Sequence, residues 1–123
     1  MGMTKVERAR ELQDRAKQFA LRIIRAFARL PKNEEARVLG RQFLRSGTSV
    51  AANYRAACRA RSAADFISKI SVVVEEADET LFWLALIVEA KLVRAKLVES
   101  LIAECEELLK IFSASLATAK ANR

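Results

Sequence analysis

Pro31 is the only proline in the chain, and there are only three glycines, Gly2, Gly40 and Gly47. Strands joined by tight turns need glycine, proline and asparagine at frequent intervals, so this scarcity of breakers favours long uninterrupted segments. The 22 alanines among 123 residues push those segments towards helix, because alanine has the highest intrinsic helix propensity. An all-α fold follows. The length is near the usual size of one domain, and residues 1–123 are read as a single one.

Apolar periodicity divides the chain into four helices, expected over about 4–30, 33–60, 62–90 and 96–119. Leu12, Ala16, Phe19, Ile23, Phe27 and Leu30 recur every three or four residues along the first, which Pro31 ends. Asn33 offers a cap for the second, and Glu34 and Glu35 put negative charge on its first turn, where the helix dipole favours it. The stretch "RSGTSVAANYRAACRARS", residues 45–62, has the composition of a phosphate-cradling loop. Its apolar phase nevertheless survives: Leu39, Phe43, Val50, Tyr54 and Ala57 share one direction at roughly 100° per residue. A P-loop also needs several glycines and a Lys-Ser/Thr pair, and both are missing here. The stretch therefore reads as helix, and Gly47 within it marks the close approach of a neighbouring helix.

Ser62, with Asp65 three residues on, resembles the start of the third helix. Phe66, Ile70, Val73, Ala77, Leu81, Leu84 and Val88 form its main stripe, while Val72, Trp83, Leu86 and Ile87 point elsewhere. A helix apolar over most of its girth is buried on two sides, and in so short a chain a subunit interface is the simpler way to bury the second. The fourth segment carries Leu97, Leu101, Cys105, Leu108, Phe112 and Leu116 at helical spacing. No breaker separates it from the third, and one helix over 62–119 would be roughly 85 Å long at 1.5 Å per residue. A compact domain does not accommodate that length, so a turn is expected near 91–96. Four helices with short connections make an antiparallel up-down-up-down bundle, here assembling into a homo-oligomer.

The formal net charge is +7, but its distribution says more than its total. Residues 1–61 carry 15 basic and 5 acidic side chains, and residues 62–123 carry 7 and 10. Such asymmetry suits an anionic partner or pairing between the halves, within or between chains. Arg37, Arg41, Arg45, Arg55 and Arg59 lie within about 40° of one direction by the helical count, opposite the apolar face of the second helix.

Several chemistries are disfavoured. Without a histidine the chain lacks the commonest general base, and no nucleophile has an evident activating partner, so no catalytic residue is assigned. Glu76-x-x-Glu79 and Glu104-x-x-Glu107 have the spacing of carboxylates in di-iron bundles but lack the nitrogen ligands, so neither metal nor cofactor is expected. Cys58 and Cys105 read as free thiols. No apolar run approaches the roughly 20 residues of a membrane span, and "MGMTKVERARELQDR" lacks a signal-peptide core, so a cytoplasmic protein with no membrane partner is expected.

The segment "LPKNEEARVLGRQFLRSGTSVAANYRAACRARSAADFISKI", followed by "EEADETLFWLALI", resembles the four-helix bundle protein family, also called the 23S ribosomal RNA intervening-sequence protein family. The resemblance spans roughly residues 12–118. It rests most specifically on Arg45, Ser46, Ser49, Asn53 and Arg59, then Ser62, Phe66 and Lys69, then Glu76, Glu79, Thr80 and Trp83. It implies a bundle assembling into a ring-like homopentamer, similar to the accessory protein of diversity-generating retroelements, a basic pentamer that binds nucleic acid. Of these residues Ser46, Ser49, Asn53, Glu76, Glu79, Thr80 and Trp83 are read as family-motif or interface positions. Many members carry an acid and a glycine where this chain has Ala56 and Ala57, and a glycine between helices three and four where it has none.

Arginine forks suit phosphate oxygens, and a helix face repeating every ~5.4 Å tracks a nucleic-acid backbone. Arg37, Arg41, Arg45, Arg55 and Arg59 are therefore the candidate nucleic-acid-binding residues for RNA or DNA. The competing readings are pairing with Asp65, Glu75, Glu76 and Glu79 across a subunit interface, in an oligomer that scaffolds another protein, and plain solvation. Tyr54 and Trp83 occupy apolar helical positions and read as core, not as base-stacking platforms. Glu76 and Asn53 are expected to share a polar network with Arg45 or Ser49.

Overall fold

The computed structural model describes residues 2–123, which form four helices: α1 (Lys5–Ala28), α2 (Glu34–Ala57), α3 (Ala63–Glu89) and α4 (Ala95–Ala121). The chain is all-α with no strand among the described residues. None of these helices is long and apolar enough to cross a membrane. Three starts are closed by side chains. Thr4 and Glu7 form a reciprocal capping box, Asn33 Oδ1 accepts from the Ala36 amide at 2.9 Å, and Ser62 Oγ accepts from the Asp65 amide at 3.0 Å. Arg94, ahead of α4, makes no such bond.

Helix ends fall inside the expected limits for α1 and α2. Leu30 and Arg59, expected within helices, lie in the tight turns that follow them, where the Leu30 amide donates to Phe27 O and the Arg59 amide to Ala56 O. The turn expected near 91–96 is residues 90–94, and its closure explains why it left no breaker in the sequence. The Lys91 amide bonds Val88 O at 2.9 Å and the Leu92 amide bonds Ile87 O at 3.0 Å, the paired bonds of a Schellman motif. Lys91 itself occupies the left-handed position, φ 61°, that glycine normally fills. Lys91→Gly is accordingly expected to stabilise the protein by about 1 kcal/mol, read as a higher urea midpoint. An unchanged or lower midpoint would refute that account of the turn.

Backbones approach most closely between consecutive helices and between α1 and α4. Phe19 and Ile23 from α1, Phe43, Val50 and Tyr54 from α2, Ile70, Val73 and Leu84 from α3, and Leu108 and Phe112 from α4 are buried in one cluster. Tyr54 meets Phe112 across the middle with ring centroids 5.0 Å apart. Two expected core positions are displaced by one residue. Leu97 is 70% exposed while Val98 is buried, and Ile87, assigned to the outer stripe of α3, is buried where Val88 was expected.

The close approach expected at Gly47 is present: a β-carbon there would lie 2.7 Å from both Cγ atoms of the fully buried Ile23. Polar residues pass through α2 without breaking it because they bond back along the helix. Thr48 Oγ1 donates to Leu44 O at 2.8 Å and Ser46 Oγ to Phe43 O at 3.3 Å. Residues 45–57 are therefore helix, and the loop reading is excluded.

Arg15 joins α1 to α4, reaching Glu104 at 2.7 Å and Glu107 at 2.9 Å. The Arg15 hydrogen bond holds the Glu104 carboxyl below its ordinary range. A carboxylate depressed on folding contributes stability above its unfolded pKa and loses it as pH falls through the folded value. Arg15→Met should destabilise the protein against urea at neutral pH, by about 1 kcal/mol or less because solvent screens the pair, and by less at acid pH as Glu104 becomes protonated. An equal loss at both pH values would assign Arg15 to packing instead.

Candidate nucleic-acid interface

The inward side of α2 is set by Gly40, Phe43, Ser46, Gly47, Val50, Tyr54 and Ala57, all buried. This fixes the helix's rotation and turns Arg37, Arg41, Arg45 and Arg55 outward, with Arg59 continuing beyond the helix end. All five are exposed in the single chain. They are not equivalent.

Arg45 is committed to acids. Its guanidinium donates to Glu76 at 3.0 Å and to Glu79, both on α3 of the same chain, and its Nε donates to Gln42 at 3.1 Å. These bonds, Glu79's first, raise the arginine's pKa further. Arg37 is held by Glu34, three residues earlier, at 2.6 Å. Among the described residues, Arg41, Arg55 and Arg59 enter no ion pair. Neither acidic pair gathers with other carboxylates into a metal-binding group: Glu76 and Glu79 clamp Arg45 as Glu104 and Glu107 clamp Arg15.

The motif residues separate into distinct pieces. Ser46 and Thr80 are fully buried, and Thr80 Oγ1 lies 3.0 Å from Ser46 Oγ and 2.7 Å from Glu76 O, tying α2 to α3 through hydroxyls. Asn53 Nδ2 donates to Ser49 O at 2.9 Å and to Ser49 Oγ at 2.7 Å. The expected single network is therefore two: Glu76 with Arg45, and Asn53 with Ser49. Trp83 is only half-buried, and its indole N–H is shielded from solvent without a hydrogen-bond partner. Its edge meets the 55% exposed Phe82, with centroids 5.1 Å apart. Tyr54, in contrast, is core as expected, and burial raises its pKa.

Where α2 ends and α3 begins, a cleft of about 370 Å³ is lined by Arg55, Arg59, Arg61 and Lys69 together with Asp65, and Ala52 and Ala56 leave room between them. Arg61 also enters no ion pair, whereas Lys69 Nζ bonds Asp65 at 2.5 Å. That bond, with help from the Arg61 amide, holds the Asp65 carboxyl below its ordinary range. The sequence reading did not assign Arg61 to the basic surface because it falls outside the helical phase of α2. Its position just before the Ser62 cap was the available signal. The two thiols take no part: burial pushes Cys105 up to about 12 and also raises Cys58.

Residues 8–114 match the family described as 23S rRNA-intervening sequence protein. The chain belongs to that family. A solved structure of similar fold is that of a protein of unknown function from the S23 ribosomal protein family of Bacteroides thetaiotaomicron VPI-5482. It is 34% identical, the match covers 85% of this chain and 97% of that one, and the TM-score is 0.80. No curated protein matches the chain. The intervening-sequence protein resemblance read from Ser46, Asn53, Glu76 and Thr80 is thus sound at the level of the family.

Proposed function

We propose that this intervening-sequence protein is a non-enzymatic, homo-oligomeric bundle with antiparallel helices that binds RNA or DNA through backbone phosphates. The observation that supports this reading is the set of exposed arginines without ion-pair partners among the described residues, Arg41 and Arg55 on the outward side of α2 and Arg59 just beyond its end. Charges held by carboxylates in the same chain have little left for phosphate, so Arg37 and Arg45 are secondary. The likeness to the basic accessory protein of diversity-generating retroelements, and the pentameric ring it implies, belong to the same reading. Exposed apolar residues on α3, with Phe82 55% exposed against Trp83 and Val72 38% exposed further along the helix, supply a surface for self-association.

Fluorescence anisotropy against salt concentration tests it. With three arginines engaged, affinity should fall with a log-log slope of about −2 to −3 per protomer. Arg41→Gln should reduce the slope by about one unit across unrelated sequences. Absence of binding at low salt would overturn the nucleic-acid reading. It would favour instead an oligomer that scaffolds another protein, a role for which the Phe82 and Trp83 face is also suited. Phe82→Asp should lower the mass measured by light scattering, and an unchanged mass would remove that face from the interface.

A further inference from the structure

We infer that the cleft between the end of α2 and the start of α3 is a pocket for a phosphate monoester, built by Arg55, Arg59 and Arg61 beside the Lys69–Asp65 pair, and that it takes the terminal phosphate of a nucleic-acid strand. The strand as the source rests on the nucleic-acid reading above; the pocket itself does not. The unpaired arginines do not form an even track along α2. Arg45, in the middle, is neutralised by Glu76 and Glu79, and Arg37 by Glu34, so a backbone laid along the helix would meet occupied charges. The uncommitted charge gathers at one end, where Arg55, Arg59 and Arg61, in no ion pair among the described residues, border one cleft; Asp65, which also lines it, is held by Lys69 and by the Arg61 amide.

A phosphate end group matches that concentration better than an internal diester. It carries up to about two negative charges and three terminal oxygens, against one charge and two oxygens for a diester. Several guanidinium forks lining one cleft satisfy three oxygens in a way that one helix face cannot. Ala52 and Ala56 keep the cleft clear of side chains that would fill it.

Three probes test the pocket: a short RNA with a 5′-phosphate, the same RNA with a 5′-hydroxyl, and a nucleoside 5′-monophosphate. The phosphorylated RNA is expected to bind about tenfold more tightly than the hydroxyl form, the gain from about one charged hydrogen-bonding group. Arg55→Gln with Arg59→Gln should abolish that ratio, whereas Arg41→Gln should weaken both RNAs equally and preserve it. Circular dichroism checks that these exposed substitutions leave the helices intact. If both RNAs bind within twofold of each other, the pocket is overturned and nucleic-acid binding stands. If neither RNA binds but the monophosphate does, and the double substitution removes it, the pocket stands with a free phosphomonoester as ligand while the nucleic-acid reading fails. Binding of none of the three overturns both.

Discussion

Gly47→Leu is expected to destabilise the protein by about 3 kcal/mol, the upper range for forcing atoms into a packed core. A β-carbon at this position meets Ile23 Cγ1 and Cγ2 at 2.7 Å and Cδ1 at 2.9 Å. Ile23 is fully buried and branched at its own β-carbon, so it has neither room nor a free torsion with which to retreat. Relief has to come from separating α1 from α2. Gly40 provides the internal contrast, because a β-carbon there meets the Leu30 Cδ1 at 2.7 Å, the far end of a flexible and only half-buried side chain. Gly40→Ala should therefore be neutral, or gain up to about 1 kcal/mol from helix propensity. Urea unfolding followed by circular dichroism measures both, and similar midpoints for the two variants would contradict this distinction.

Phe112→Ala should lower stability by about 3 to 5 kcal/mol, a large fraction of the total for a small domain. Phe112 is fully buried on α4 and packs on the Tyr54 ring of α2, reaching past the helix's direct neighbours. Truncation leaves a void that rigid helices on several sides close poorly. The loss should be uneven, with amide protection falling most along α4, which also lacks a side-chain cap at its start. Hydrogen exchange resolved by residue reads this directly. Uniform loss of protection across all four helices would show that α4 does not open by itself.

The helices and most of the core were legible from spacing alone, because a 3.6-residue period constrains Phe19, Ile23, Phe43, Val50, Leu84 and Phe112 together. The errors have local causes. Ile87 and Val88, like Leu97 and Val98, are adjacent apolar residues near helix ends, where a small change of phase decides which turns inward. The α3–α4 turn left no mark because lysine fills its left-handed position and two backbone bonds close it without side-chain help. Direction alone placed the arginines outward but said nothing of their partners. That Arg45 faces Glu76 and Glu79 while Arg55 shares a cleft with Arg61 depends on how α2 and α3 lie side by side, which is tertiary information. The motif serines and Thr80 were read as family-motif or interface positions, and Ser46 and Thr80 form a buried seam between α2 and α3 of one chain.

The order of packing also bears on how the chain reaches its native state. Because close backbone approaches link each helix to its sequence neighbour, most of the structure assembles by closing short connections, for which the entropic cost is low. Low contact order of this kind gives folding in microseconds to milliseconds. Docking of α1 on α4 is the exception, since it joins opposite ends of the chain, and its polar links are the clamp of Arg15 on Glu104 and Glu107 and the bond from Arg22 to Ser100 Oγ. That contact is expected to form after the transition state, so its removal should speed unfolding and leave the folding rate nearly unchanged.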